Sequence, residues 1–81
     1  MSPVTNQIFD IITRVTGIPK SHLNPGFDLI DSGVVDSIQL LQLVDAFEKS
    51  FGVSIELDEF AEHTTIDKIL HAITLRMIAQ S

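Results

Sequence analysis

The chain has 81 residues, no cysteine and a formal net charge of −6 at pH 7. This length fits one domain, which we take as residues 1–81, and the lack of cysteine excludes disulfides and thiolate metal sites. Nine of the eleven acidic residues lie between Asp28 and Glu62, where Lys49 is the only base, so we expect that surface to repel nucleic acids and anionic membranes.

The first predicted helix has Ser2 as its cap and Pro3 as its first residue, a position that proline favours. Its apolar residues recur at the spacing of one buried helix face, namely Val4, Ile8, Ile11, Ile12 and Val15. Gly17 ends this helix, and Pro19 follows two residues later.

A long connection over residues 18–35 comes next, with a turn signal at Pro25-Gly26 and a second break at Gly33. Connections of this length without regular structure are unusual in compact domains and generally serve a function. We expect apolar side chains to hold the connection against the helices, namely Ile18, Leu23, Phe27, Leu29 and Ile30.

The second predicted helix covers residues 37–51 and ends at Gly52. Asp36 and Gln39 have the spacing of a capping box, which makes Asp36 the cap and Ser37 the first helical residue. The buried stripe consists of Leu40, Leu43, Val44, Phe47 and Phe51. At about 100° per residue, the opposite, solvent-facing side carries Ile38, Gln42, Asp45 and Lys49.

Two further helices complete an all-α fold. Residues 58–62 form one short turn with Phe60 facing inward, and the last helix begins at Thr64 or Thr65 with Asp67 in its first turn. Its core stripe is Ile66, Ile69, Leu70, Ile73 and Met77. The sequence thus predicts a small four-helix bundle, with three main helices, one short helix and a long loop between helices one and two.

Ser37 lies at the N-terminus of helix two, directly after a loop that contains Gly33. Backbone N–H groups at a helix N-terminus have no intrahelical partner, and the positive end of the helix dipole stabilises an attached anion. No histidine lies nearby in sequence, and a bare hydroxyl is a weak nucleophile. These features favour modification of Ser37 by a phosphate-bearing group over catalysis, with an ordinary first-turn serine as the alternative.

The other polar residues do not indicate a metal or catalytic site. His22, His63 and His71 lack metal-ligand spacing, and no cysteine supports them. The spacing of Asp67 and His71 permits a surface hydrogen bond between them. The sequence contains no glycine-rich phosphate loop and no serine–histidine–aspartate order of a known hydrolase type, so we expect no enzymatic activity.

The segment at residues 28–41, DLIDSGVVDSIQLL, resembles the 4'-phosphopantetheine attachment region of acyl and peptidyl carrier proteins. That family's signature is Asp-Ser followed by an aliphatic residue, here Asp36-Ser37-Ile38, and the resemblance covers essentially the whole chain. It implies that a phosphopantetheinyl transferase attaches 4'-phosphopantetheine from coenzyme A to Ser37. It also implies that Asp36 assists by helping to hold Mg²⁺ and coenzyme A.

The resemblance implies a stand-alone carrier that holds acyl or aminoacyl groups as thioesters on the thiol of the cofactor. An adenylating ligase or an acyltransferase would load it for downstream biosynthetic enzymes. Carriers of bacterial fatty acid synthesis have many acids just after the serine, whereas Gln39 and Gln42 stand there here. The approach through Gly33 is closer to the D-alanyl carrier protein and to free-standing nonribosomal peptide or polyketide carriers. We therefore expect a secondary-metabolite or cell-envelope pathway.

We expect partners to bind the outer side of helix two. Ile38 supplies an apolar anchor next to the serine, Asp45 and Glu48 steer basic partners, and Gln42 and Lys49 complete the predicted partner-binding set. No apolar run could span a membrane and no basic segment precedes an apolar one, so we expect a cytoplasmic protein. The start at Met1 and the lack of a Pro/Ser-rich flank favour a free-standing gene product, and we expect it to be a monomer. The alternative is a small helical protein-interaction module that is never loaded.

Overall fold

The computed structural model describes residues 3–62 and 64–80, so the predicted cap Ser2 and His63 lie outside the described residues. The described residues form four α-helices: α1, Pro3–Thr16; α2, Ser37–Phe51; α3, Leu57–Ala61; and α4, Ile66–Gln80. A 3₁₀ turn, Lys20–His22, lies in the α1–α2 loop, residues 17–36. The predicted fold class, with three long helices, one short helix and a long first loop, is confirmed.

One apolar core joins the helices and the loop. Its most deeply buried side chains are Ile8, Ile12, Leu29, Leu43, Phe47, Ile66, Ile69 and Ile73. Phe47 of α2 meets Phe60 of α3 edge to face, with ring centroids 6.0 Å apart and an interplanar angle of 62°. This is a favoured geometry for aromatic pairs, and it packs the short α3 against α2. The inward direction predicted for Phe60 is confirmed.

The α1–α2 loop is held by apolar side chains, but one of those predicted is wrong. Ile18, Leu23 and Leu29 are buried and Phe27 is half-buried, whereas Ile30 is 38% exposed. Leu29 and Ile30 are neighbours in a tight turn, where only one of the two side chains can point into the core. Leu29 takes that position, and Ile30 therefore faces outward.

The extended pairing of Thr64 and Thr65 with the loop delays the start of α4 to Ile66, later than predicted. Thr65 forms an isolated antiparallel bridge with Asp28. Three backbone hydrogen bonds of 3.0 Å surround this bridge, from Leu29 N–H to Thr64 oxygen, from Ile66 N–H to Phe27 oxygen and from Asp67 N–H to Pro25 oxygen. These bonds use backbone groups that would otherwise be unpaired in an irregular segment.

Asp28 adds side-chain bonds to this pairing. Its Oδ1 accepts hydrogen bonds from Thr64 Oγ1 at 2.7 Å and from the N–H groups of Ile30 at 2.9 Å and Asp31 at 3.1 Å. The Thr64 bond lowers the pKa of Asp28 most; partial burial opposes the shift, while the two N–H groups and the charge of Lys68 add to it. Asp28 therefore stays ionised at neutral pH and joins the loop to the chain before α4.

A second set of polar bonds holds the segment between α2 and α3. Arg76 of α4 donates from Nε to the Ser54 carbonyl at 3.1 Å, and its NH2 lies 2.9 Å from Glu59 Oε1. Glu48 of α2 accepts a hydrogen bond from the Ile55 N–H at 2.8 Å. The segment between α2 and α3 is thereby attached to both α2 and α4.

We expect Asp28→Ala to lower the free energy of unfolding by about 1–3 kcal/mol at neutral pH, because it leaves the buried Thr64 hydroxyl without its acceptor. The folded-state pKa of Asp28 lies below the unfolded value of about 3.9. The contribution of the charged carboxylate is therefore present above that pH and is lost as the pH falls through the folded pKa. Urea unfolding at about pH 7 and about pH 2.5 should show the difference between wild type and variant narrowing in acid.

Asp31→Ala is the matched control, because Asp31 is exposed and contributes its backbone N–H to this cluster. It should change stability by no more than about 0.5 kcal/mol. An Asp28→Ala loss of the same size at both pH values would contradict a role for the charged carboxylate.

Candidate functional site at the N-terminus of α2

Asp36 is the N-cap of α2, as predicted. Its Oδ1 accepts a hydrogen bond from the Gln39 N–H at 2.8 Å, and its carbonyl accepts one from the Leu40 N–H at 3.0 Å. The Asp36 backbone is extended, with φ −96° and ψ −178°, and Ser37 is the first helical residue. At the other end, Gly52 closes the helix in the left-handed conformation, with φ 66°. The Asp36 half of the predicted capping box and the glycine stop are thus both used in the fold, whereas no bond from the Asp36 N–H to the Gln39 side chain occurs among the described residues.

The loop approaches α2 through a turn that its own polar groups stabilise. Ser32 Oγ donates to the Leu29 carbonyl at 2.9 Å and accepts from the Val34 N–H at 3.3 Å. Gly33 has φ 78°, and a Cβ there would meet no atom within 4 Å, so the backbone conformation rather than space favours glycine. Val35, two residues after Gly33, is buried. The approach to the helix is therefore fixed on both sides of Gly33.

Ser37 is exposed at the helix end. Asp36 satisfies the Gln39 N–H, while the N–H groups of Ser37 and Ile38 donate no hydrogen bond within the part of the chain that the structure describes. Two unpaired N–H groups and the positive end of a 15-residue helix therefore surround the hydroxyl. Such a position stabilises a phosphodiester anion on the serine oxygen.

Three exposed aliphatic side chains flank Ser37 along the chain. Val34 is 50% exposed, Ile38 69% and Leu41 54%. The helical pattern predicted the exposure of Ile38 and left the direction of Leu41 open, while Val34 carried no signal in the sequence. Leu41 lies four residues after Ser37, about 40° away around the helix axis, and this spacing could have indicated it. Val34 lies in the loop, where no periodicity indicates which way a side chain points.

The outer face of α2 carries less unpaired charge than its composition suggests. Gln42, Asp45 and Lys49 are exposed, as the helical pattern predicts. Lys49 Nζ lies 3.0 Å from Asp45 Oδ2, so these two charges offset each other. Glu48 is half-buried and bonded to Ile55. The binding of partners to these residues stays a prediction.

The described histidines do not combine with acids into a metal site. Within residues 3–62 and 64–80, no group of three or more His, Cys, Asp or Glu side chains could hold a metal ion. Asp67 accepts hydrogen bonds from Thr65 Oγ1 at 2.7 Å and from the Lys68 N–H at 2.9 Å, and no bond to His71 occurs among the described residues. None of the helices in these ranges is long and apolar enough to cross a membrane.

One known protein family matches most of the chain. The family described as "Phosphopantetheine attachment site" matches residues 6–73. The chain belongs to this family. The match includes all of α1 except its first turn, the loop, α2, α3 and the first half of α4.

Several of its relatives are acyl carrier proteins. The chain is 39% identical to the acyl carrier protein of Acidothermus cellulolyticus over 57 residues, 70% of this chain and 68% of that protein. It is 34% identical to that of Solidesulfovibrio magneticus over 71 residues, 88% and 87% of the two chains. It is 29% identical to acyl carrier protein AcpXL of Brucella melitensis over 69 residues, 85% and 74% of the two chains.

Membership of this family confirms the carrier prediction. The protein is an acyl carrier protein with covalently bound 4'-phosphopantetheine, and it is not an enzyme. The alternative of a never-loaded interaction module is not favoured. A phosphopantetheinyl transferase and biosynthetic enzymes are the general partners of such a carrier.

Proposed function

We propose that Ser37 is the attachment residue of this carrier protein and that it holds acyl or aminoacyl groups for a dedicated biosynthetic pathway. The observation that supports this most is the exposed Ser37 hydroxyl at the capped start of a long helix, within the matched residues. The Ser32 hydroxyl, five residues earlier, is already hydrogen-bonded within its own turn. Ser50 lies in the last turn of α2, at the negative end of the helix dipole.

Attachment requires Ser37 to act as the nucleophile of a phosphoryl transfer. Its Oγ forms a bond to the coenzyme A phosphorus that bears the pantetheine, the P–O bond to the other phosphate breaks, and adenosine 3',5'-bisphosphate leaves. The hydroxyl proton passes to a base of the transferase. The N–H groups of Ser37 and Ile38 then face the new phosphodiester anion.

Asp36 has one carboxylate oxygen available for this reaction. Oδ1 accepts the capping bond from Gln39, while Oδ2 accepts no hydrogen bond within the described residues. We propose that Oδ2 helps to hold Mg²⁺ in the transferase complex, since carboxylate oxygens are preferred ligands of that ion. The cap and the metal contact are compatible because they use different oxygens.

We further propose that partners dock on the outer face of α2 and that the contact is mainly apolar. Among the described residues, Ile38 is the most exposed of the large apolar side chains, and it adjoins Ser37. The Asp45–Lys49 pair and the bond from Glu48 to Ile55 reduce the charge that this face can present, so steering by the two acids is weak. Gln42 adds a neutral hydrogen-bonding group to the same face.

We propose an adenylating ligase as the loading enzyme, in a secondary-metabolite or cell-envelope pathway, because the approach to Ser37 through Gly33 resembles that of carriers fed by such enzymes. Neutral Gln39 and Gln42 replace acids on the first turns of α2, and the ion pair offsets the next acid. One relative is the non-reducing polyketide synthase pkdA of Emericella nidulans, 30% identical over 77 residues that form 3% of its length. We propose the cytoplasm as the location and a free-standing monomer as the working form.

Incubation with coenzyme A, Mg²⁺ and a broad-specificity phosphopantetheinyl transferase should add one phosphopantetheine to the wild-type protein, seen by intact mass. Ser37→Ala should abolish this addition and leave the helical circular dichroism unchanged, because the Ser37 side chain makes no hydrogen bond within the described residues. Ser50→Ala, on the same helix, should be modified like the wild type. Addition to Ser37→Ala, or none to the wild type, would contradict the assignment.

Ile38→Asp should slow modification by about tenfold, equivalent to about 1.4 kcal/mol, because it removes the apolar anchor beside Ser37. It should change stability by no more than about 0.5 kcal/mol, since Ile38 is exposed. Val44→Asp places a charge in the core and should cost about 4 kcal/mol or more, a large part of the about 4–12 kcal/mol expected for a domain of this size. Modification rates and urea unfolding measure the two effects.

Leu75→Asp is the matched control for the anchor, because Leu75 is an exposed apolar residue on α4 rather than α2. It should be modified at the wild-type rate. Equal slowing in Leu75→Asp and Ile38→Asp would show that the effect does not come from the α2 face, and a large stability loss in Ile38→Asp would place Ile38 in the core.

The phosphopantetheinylated protein should be loaded by an ATP-dependent ligase that acts on an amino or carboxylic acid. Mass spectrometry should detect a thioester that hydroxylamine removes, and Ser37→Ala treated in the same way should carry none. Efficient loading only by a malonyl transferase would contradict the ligase and indicate an elongation pathway.

A further inference from the structure

A surface groove of about 370 Å³ lies beside the loop segment that leads to Ser37. The C-terminal end of α1 and the start of the loop form one wall, including Thr16 and Pro19. Phe27 and Val34, from later in the loop, contribute apolar surface, and the imidazole of His22 also lines it. The function proposed above uses none of these residues.

Hydrogen bonds hold both walls of the groove in place. Thr16 Oγ1 donates to the Ile12 carbonyl at 2.7 Å and accepts from the Ile18 N–H at 3.2 Å. Across the groove, the Phe27 carbonyl accepts from the Ile66 N–H at 3.0 Å. The groove is therefore preformed, and the Thr16 hydroxyl is already used. The surface available to a ligand is mainly apolar, with the His22 ring as a polar group.

The groove begins close to the attachment residue. Val34 lines it and stands three residues before Ser37, a separation of about 11 Å at most even in a fully extended chain. The pantetheine arm is a flexible chain with two geminal methyl groups near its phosphate, followed by a hydroxyl, two amides and the thiol. Its two methyl groups are apolar, as most of the groove lining is.

We infer that the pantoyl part of the arm packs in this groove, with its geminal methyl groups against Val34 and Phe27. The inference rests on Ser37 being the attachment residue. The groove offers contacts on two sides, whereas Leu41, on the other side of Ser37, stands on the convex surface of a helix. An arm held here leaves Ile38 and the rest of the outer α2 face open for docking, and a docked partner can then draw the arm out.

Isotope-filtered nuclear Overhauser spectra test this directly on phosphopantetheinylated protein, prepared from ¹³C,¹⁵N-labelled protein and unlabelled coenzyme A. We expect cross-peaks from the geminal methyl protons of the arm to the Val34 methyl and Phe27 ring protons. Cross-peaks to Leu41 instead, or a complete absence of cross-peaks from the arm, would overturn the inference.

Intact mass on the same sample separates the two hypotheses. Failure to add phosphopantetheine counts against Ser37 as the attachment residue, whereas a correct mass without groove cross-peaks counts against the groove alone.

Val34→Asp and Leu41→Asp form a matched pair, because both replace a half-exposed aliphatic residue near Ser37. Val34→Asp removes an apolar wall and adds a charge of the same sign as the phosphodiester, so the cross-peaks to Phe27 should disappear. Leu41→Asp should retain them. Val34→Ala only shortens the side chain and should weaken the cross-peaks to Phe27. This variant keeps the test valid if Val34→Asp disturbs the loop conformation. Unchanged cross-peaks in a folded Val34→Asp protein would contradict the inference.

Discussion

The pairing of the α1–α2 loop with the chain before α4 is the constraint on which the rest of the structure depends. A loop of this length has no helical ladder to satisfy its backbone groups, and its path across the core would otherwise be undefined. The path of the loop is fixed by a short hydrogen bond from Thr64 to Asp28, which lie 36 positions apart in the sequence. The backbone bridge between Asp28 and Thr65 adds to it. The pairing places Leu29 in the core, and it holds Thr64 and Thr65 extended until α4 can begin.

The position of the proposed attachment residue, Ser37, follows from that constraint and from a local cap. Once the loop is held, the turn at Gly33 and the burial of Val35 bring the chain to Asp36 in an extended conformation, from which α2 starts. In the proposed function Ser37 needs no catalytic surroundings, since the transferase would provide the chemistry and the carrier provides an exposed oxygen on a rigid base. The same arrangement keeps two N–H groups at the helix end for the phosphodiester.

Several acidic side chains of this chain form hydrogen bonds or ion pairs within the fold. Asp28, Asp36 and Glu48 each accept a hydrogen bond from a backbone N–H, and Asp45 pairs with Lys49. The acids nearest the attachment site therefore support the loop, the cap and the α2–α3 connection. The proposed docking face of Ile38 and neutral groups would fit partners that recognise shape and apolar contact, in contrast to those that depend on a dense acidic helix.

The sequence by itself determined the helices, the bounds of α2, the buried stripes, the Asp36 cap and Ser37 as the candidate site. These features depend on spacing within about four residues, which a single sequence displays. Only the tertiary structure decided that Ile30 faces outward, that Thr64 and Thr65 remain extended, and that Val34 lines a groove. Those outcomes arise where the loop meets the start of α4 and the end of α1. Contacts between segments so distant along the chain leave no periodic signal in either segment.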